Sequence, residues 1–420
     1  MAEFQTHKND ITKTRLVDVG NQADDFTLAD GEILVKVERF AFTANNVTYG
    51  AVGEQIGYWQ FFPPHLTVGD DADWGIVPVW GFAEIVASNN PDMKIGERSY
   101  GYFPMANYLK MLPVRVSDDR FVDGAPHRAE LPAVYNSYDR LGAGQSENDN
   151  LRALLNPLYG TSYCLCDALQ EENYRDAEQV VILSASSKTA IGLAFGLSQI
   201  DGARPAIIGL TSPGNVGFVE KTGSYDTVIG YDDLSPLPNK SSVLVDMSGN
   251  RAVLGAVHGA LGDNMYWCHN VGLTHWDDSE TKNDPAAAQL IGARSAMFFA
   301  PGHIARRAKE WGATDFNQKV AAFLADGMAH AGNWLDVHET QGLQAFAPIY
   351  DRVVIGDLRA EEWGAMDFNQ KVAAFLADGM AHAGTWLDVH ETHGLQAFEP
   401  IYSRVVIGDL RAEEGIIIAL

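Results

Sequence analysis

The sequence predicts an α/β protein built on a parallel sheet, and two observations carry the prediction. One is an order of strand, turn, helix and strand between Val180 and Tyr231. The other is size: 420 residues, 46% hydrophobic and 20% charged, make a globular chain long enough for two domains with a core each. Taken in order, Val180-Val181-Ile182-Leu183 is a short β-rich apolar run. Ser184-Ala185-Ser186-Ser187-Lys188-Thr189 lacks apolar periodicity and reads as a turn, and Ala190 to Leu197 resumes a helical pattern. Pro205 to Leu210 is a second strand, and Thr211-Ser212-Pro213-Gly214-Asn215 is its polar exit. These elements make a βαβ unit.

A strand that enters a helix through a tight turn leaves the first helical amides unpaired, at the positive end of the helix dipole, where a phosphate is attracted. This suggests a nucleotide cofactor. The glycines that usually let a pyrophosphate approach such a turn are absent, and Ser184, Ser187, Lys188 and Ala190 stand in their places. Serine and alanine are small enough to keep much of that access, and the hydroxyls and the Lys188 ammonium add donors. Ser-Ser-Lys-Thr also echoes the tail of a nucleoside triphosphate loop, but that loop's upstream glycines are missing. An ordinary strand-to-helix turn with no ligand remains the alternative.

The 55 acidic against 30 basic residues give a net charge of −25, which repels nucleic acid and anionic membranes. No apolar run approaches the length of a membrane span, and Met1 to His7 lacks the features of a signal peptide, so a cytoplasmic location is expected. The three cysteines, Cys164, Cys166 and Cys268, form no disulfide framework and no four-ligand zinc pattern. Cys164-Leu165-Cys166 is expected to pack as two small buried side chains on an element around Leu158 to Leu169.

Trp311 to Glu362 and Trp363 to Glu414 are one segment written twice, identical at 47 of 52 positions. The differences are Thr314/Met366, Asn333/Thr385, Gln341/His393, Ala347/Glu399 and Asp351/Ser403. Two such copies point to a recent tandem duplication. Each carries an amphipathic helix (Phe316, Val320, Phe323, Leu324 and Met328 in the first), then Trp334-Leu335-Asp336-Val337 and a shorter helix around Leu343 to Tyr350. Only the second copy runs into Gly415-Ile416-Ile417-Ile418-Ala419-Leu420, whose strand end is expected to take the native position. One docking site accepts one helix face, so the other copy must pack elsewhere, loop out or exchange with another subunit. His330 and His338, with His382 and His390, lack the second histidine of a zinc-protease helix and read as solvated.

The order of further segments resembles the medium-chain dehydrogenase/reductase superfamily. Gly31 to Val37 followed by Phe42-Thr43-Ala44-Asn45-Asn46-Val47 looks like its opening strand and active-site loop; Trp80 to Val86 with Ile95 to Gly101 looks like its barrel core. Pro157 to Ser162 is similar to the helix entering its cofactor domain, Val243 to Gly249 and Asn270-Val271-Gly272 to its fourth and fifth Rossmann strands, and Gly394 to Phe398 to its late helix. Tyr58 to Pro63 and Phe298-Phe299-Ala300-Pro301 place the likeness nearest to a bacterial branch of unassigned function on the quinone and enoyl reductase side. The resemblance implies a GroES-like β-barrel domain over residues 1–150, completed by a terminal strand at 415–420, and a Rossmann doubly wound parallel sheet over 151–310. The first copy of the repeat (311–362) and the second with the terminal strand (363–420) follow.

The zinc enzymes of the superfamily would place their cysteine near Asn45 or Asn46 and their Gly-His-Glu near Gly81-Phe82-Ala83, so a zinc-independent reductase is implied, with no metal site. The end of the second Rossmann strand has no carboxylate to repel a 2′-phosphate, which favours NADPH over NADH. The cofactor residues implied are Thr161, Ser184, Ser186, Ser187, Lys188, Thr189, Thr211, Ser212, Asn215, Tyr231 and Gly272; Tyr231 maps to a tyrosine that holds the 2′-phosphate, Asn215 replaces its lysine partner, and Lys221 is a candidate to compensate. Tyr49 is the first catalytic candidate because a phenol donates a proton without metal help, with Asn46 and Tyr58 beside it; an aromatic lining of an apolar pocket explains the tyrosines equally. The apolar stretch Tyr58 to Pro64 suits a small hydrophobic substrate, or simply a core, and dimers common in the superfamily imply a homodimer. The expected activity is NADPH-dependent reduction of an activated alkene, quinone or carbonyl; the alternative is a catalytically silent nucleotide-binding sensor or scaffold.

Overall fold

The computed structural model describes residues 2–18, 22–51, 53–65, 72–271, 290–354 and 414–419. Gly272 and the second copy as far as residue 413 lie outside the described residues. The fold is α/β, with a GroES-like barrel and a Rossmann-like parallel sheet, as the sequence predicts.

A small antiparallel sheet joins β1 (Ala2–His7) to β2 (Asp10–Asp18) and β4 (Trp74–Gly75). The nearly closed sheet of the barrel contains β3 (Ile33–Ala41), β5 (Pro78–Ser88), β6 (Arg98–Pro104), β7 (Tyr108–Met111), β8 (Pro113–Val114), β9 (Arg120–Asp123) and β10 (Ser137–Leu141). The parallel sheet contains β11 (Gln179–Leu183), β12 (Ala206–Thr211), β13 (Thr227–Gly230), β14 (Ser242–Asp246), β15 (Met265–Asn270) and β16 (Ser295–Met297), in the spatial order β13-β12-β11-β14-β15-β16. Every residue of β11 is buried, as a strand covered on both faces requires. Val180 and Ile182 pack under α3 (Asp149–Glu171) and α4 (Lys188–Ser198), while Val181 and Leu183 pack under α6 (Arg251–Leu261). The predicted strand, helix and strand thus match β11, α4 and β12 to within a residue or two. Cys164 and Cys166 lie buried on α3, where desolvation pushes the first thiol up to about 12 and the second to about 11.

The long helix α3 ties the two halves together. Its start is held to the barrel by the buried Arg98, which pairs with Asp149 at 2.9 Å and Glu38 at 2.7 Å, and by Arg152 with Asp139 at 2.6 Å. Farther along, Tyr159 meets two glycines: a Cβ on Gly192 of α4, or on Gly327 of α8 (Ala313–Ala331), would stand 2.6 Å from its ring. Glycine is required at both for the three helices to approach so closely.

The helices docked here belong to the first copy. Phe316 of α8 is buried, and Phe323, Leu324 and Met328 pack against the main core. After β17 (Asp336–Gln341), α9 (Leu343–Val354) places Phe346 against Phe4 at 5.1 Å and Phe42 at 5.1 Å, and the Tyr350 hydroxyl donates to the Ile11 carbonyl at 3.2 Å. The terminal strand β18 (Glu414–Ala419), which follows the second copy in sequence, lies parallel to β17 and antiparallel to β3. β17, α9 and β18 therefore form a parallel crossover, and the chain of the second copy enters between α9 and β18. Of the five differences between copies, Thr314, Asn333, Gln341 and Asp351 are exposed in the first copy, whereas Ala347 packs half-buried against the core. The second copy has Glu399 in the equivalent place, and a carboxylate there costs desolvation. Composition between two near-identical segments thus favours the first.

One reading of the sequence needs correcting. His330 is not a solvated flank: its ring stacks on Phe195 at 4.5 Å, accepts the Trp334 indole N–H on Nδ1 at 3.3 Å and bonds the Thr222 carbonyl through Nε2 at 2.9 Å. Because an indole only donates, Nδ1 is the acceptor and Nε2 carries the proton. Side-chain contacts of His338, and the placement of His382 and His390, lie outside the described residues.

Gly327→Val drives two methyl groups toward Tyr159 and is expected to lower unfolding stability by ~1–3 kcal/mol, the usual cost of overpacking. The same change at the equivalent Gly379 leaves it unaltered. Urea midpoints of the two variants check this, and equal losses would mean that the copies share the docking site.

Candidate functional site

In a parallel sheet ordered this way, the connections leaving β11 and β14 turn to opposite faces, and a crevice opens beyond the carboxyl ends of those two strands. The structure has a cavity of about 1080 Å³ there, continuing to the barrel. One end is lined by Thr161, Ser184, Ser186, Ser187, Lys188, Thr189, Thr211, Ser212, Asn215 and Tyr231, all proposed from sequence, joined by Met247, Ser248 and Asn250 after β14. The other end is lined by Tyr49, Tyr58, Trp80, Tyr100, Val134 and Tyr135. Asp139, paired with Arg120 and Arg152, is the one carboxylate lining the cavity among the described residues, in a chain of net charge −25.

At the cofactor-type end the turn is held by its own polar groups and by those of neighbouring elements. Ser187 caps α4, its hydroxyl accepting from the Ala190 amide at 3.3 Å, and its own amide donates to the Ser184 carbonyl at 2.8 Å. The Ala185 amide donates to Leu210 at 3.0 Å, and the Ser162 hydroxyl holds the Thr189 carbonyl at 2.7 Å. The Ser186 and Thr189 amides make no hydrogen bond among the described residues, so two backbone donors remain at the mouth of the helix. Lys188 is buried in the wall beside them. With open amides, a lysine and no carboxylate other than Asp139 in the lining among the described residues, this end fits a pyrophosphate.

Asn215 and Tyr231, both in the lining, also make contacts within the wall. Asn215 is buried, and its amide donates to the Ser186 hydroxyl at 3.1 Å, a hydroxyl that Thr211 also engages at 3.2 Å. The Tyr231 hydroxyl accepts the Ser184 amide at 2.6 Å. Lys221 is exposed on α5 (Val216–Lys221) and does not line the cavity.

At the aromatic end, α1 (Ala44–Ala51) presents Tyr49. Its phenol oxygen accepts from Asn45 Nδ2 at 2.7 Å and from Trp80 Nε1 at 3.3 Å, and its ring lies 4.5 Å from that of Tyr58. The Tyr58 and Tyr135 hydroxyls are 2.9 Å apart. Burial pushes the Tyr49, Tyr58 and Tyr135 phenols above the ordinary value, so all three stay protonated. Asn46 is not part of the lining: its Oδ1 accepts the Thr43 amide at 2.8 Å and its Nδ2 donates to the Pro78 carbonyl at 2.9 Å, which fixes the start of α1 on β5. Phe61 and Phe62 are core side chains, so only Tyr58 of the apolar stretch reaches the cavity. Sequence reasoning missed Trp80, Tyr135 and Asn45; the Trp at the head of the barrel-core strand was the available signal. No cluster of three His, Cys, Asp or Glu suited to a metal occurs among the described residues, and none of the described helices is long and apolar enough to cross a membrane.

Among solved structures, the chain is similar to CurA from Vibrio vulnificus in complex with NADPH, with a TM-score of 0.54 at 16% identity over 84% of this chain and 93% of that one. It is similar also to a second crystal structure of CurA from the same organism, with a TM-score of 0.53 at 16% identity over 82% of this chain and 91% of that one. At such identity the likeness establishes the fold. A search of curated proteins finds no match. Residues 40–359 match a family model described as "Protein of unknown function (DUF2855)", and the chain belongs to that family.

Proposed function

We propose that the chain binds NADPH along the crevice and reduces an activated alkene, quinone or carbonyl, without zinc. The observation that carries this reading is one continuous cavity with open Ser186 and Thr189 amides at one end and a hydrogen-bonded, protonated Tyr49 at the other. The NADPH complex of CurA, which shares the fold, supports the choice of cofactor. Thr211 and Ser212 at the end of β12 offer no negative charge to a 2′-phosphate.

Bound NADPH supplies the hydride. The chain's own contribution is to orient, to exclude water with aromatic walls, and to deliver a proton. A tryptophan N–H only donates, so with Asn45 and Trp80 both pointing at the Tyr49 oxygen, its own proton is left for an acceptor in the cavity. As negative charge develops on the substrate oxygen, Tyr49 donates to it. The Tyr135 hydroxyl, bonded to Tyr58, lies next in line to return a proton to Tyr49. The substrate gains the hydride and this proton together, and Tyr58, Tyr100 and Tyr135 favour a flat apolar body for it.

Titration of NADPH and NADH followed by nicotinamide fluorescence is the first test; no binding of either overturns the proposal. Binding without oxidation across enones, quinones and aldehydes would mark a silent nucleotide-binding protein. Tyr49→Phe is expected to lower turnover by ~100-fold or more while NADPH affinity holds. Because burial raises the phenol, the rate should not fall as pH climbs through the ordinary phenol value of 10.0. Asn46→Ala instead strands the Thr43 amide and the Pro78 carbonyl, and calorimetry or denaturant melts should read a loss of ~2 kcal/mol.

A further inference from the structure

The turn that opens α4 holds a serine where the backbone asks for glycine. Ser184 has φ of +56°, in the left-handed region, which is unfavourable for a residue with a Cβ. No other residue between β11 and the end of α4 shares it among the non-glycine residues with positive φ. Such a conformation persists where its surroundings over-determine it.

Two tyrosines that bracket β13 provide those surroundings. Tyr231, just after the strand, accepts the Ser184 amide on its hydroxyl at 2.6 Å, and its own amide donates to the Thr211 carbonyl at 2.8 Å. Tyr225, just before the strand, donates its hydroxyl to the Ala185 carbonyl at 2.8 Å. The ring of Tyr225 passes over Gly209 of β12, where a Cβ would stand 2.8 Å from it, so the one glycine in that strand makes room for the clamp. Adjacent residues of the turn are thus gripped from the side, one by its donor and one by its acceptor.

We propose that Tyr231 and Tyr225 are positioning residues that stand in for the missing glycines, holding the Ser184–Thr189 turn in its left-handed shape so that the Ser186 and Thr189 amides face the crevice. Tyr231 then serves NADPH and NADH alike through the turn, its hydroxyl oxygen accepting the Ser184 amide while its own proton stays available to donate. This rests on the NADPH reading for its cofactor consequence and on the turn geometry alone for its structural one.

The test uses the full chain with Tyr231→Phe, Ser184→Gly and the double variant. Tyr231→Phe is expected to lower the melting temperature without cofactor and to weaken NADPH and NADH alike, by ~fivefold, the factor that goes with one lost hydrogen bond. In the Ser184→Gly background the Tyr231→Phe change should have little further effect on either, since glycine adopts the turn unaided. A selective loss of NADPH affinity with an unchanged melting temperature overturns the proposal and puts the phenol on the 2′-phosphate. Additive effects in the double variant overturn it as well. If the parent binds neither cofactor, the NADPH reading fails, yet the coupling of melting temperatures still decides the clamp. Should Tyr231→Phe not fold, folding of the double variant supports the clamp, and its failure overturns it by making the ring a packing element only.

Discussion

A parallel sheet in the order β13-β12-β11-β14-β15-β16 has one place where neighbouring connections must leave toward opposite faces, between β11 and β14. The location of the crevice follows from that reversal. Everything else in the site works to keep its walls at a fixed separation. The helix α3 does most of this, pinned at its start by Arg98 between Glu38 and Asp149 and locked farther on by the Tyr159 contacts with α4 and α8. Arg98 is almost wholly withdrawn from water, and an ion pair in that setting gains little net stability. Removing one partner leaves a buried charge, so such a group fixes one arrangement more than it strengthens it.

A second theme is the use of side chains to complete the backbone. Asn46 satisfies an amide and a carbonyl at the start of α1, Ser187 satisfies α4, Asp246 gathers the Ser248 and Gly249 amides after β14, and Tyr231 takes the Ser184 amide. Polar residues near a cavity are easily read as ligands for what the cavity holds. Here several of them are engaged within the wall, and what they leave open are the Ser186 and Thr189 amides and the Tyr49 proton.

Much of the architecture was legible because hydrophobic period and length determine it. The β11, α4 and β12 boundaries followed from an apolar run, a polar turn and a helical repeat, and the buried Cys164 and Cys166 followed from their apolar neighbours. Ten of the eleven cofactor-type positions line the cavity; the remaining one, Gly272, lies outside the described residues. What could not be read was the target of each polar atom. Asn46 and Tyr49 sit three residues apart on one short helix, and only the fold decides that the amide faces Pro78 while the phenol faces the cavity. His330 likewise looks solvated in sequence because the Phe195 and Thr222 that enclose it come from distant elements. Nor could periodicity choose between two copies of one segment. The difference that bears on packing is a single methyl, at Ala347, against the carboxylate of Glu399.

The crossover of β17, α9 and β18 also bears on how a chain with a 52-residue segment written twice keeps its barrel. Closure entropy of a flexible span grows only with the logarithm of its length, ~0.6 kcal/mol for each doubling, so extra sequence ahead of a final strand costs little. The pairing of β18 with both β3 and β17 is long enough to absorb it. The joint after α9 is therefore a natural graft point for foreign sequence, provided the splice leaves Val353 and Val354 intact, because both line the crevice.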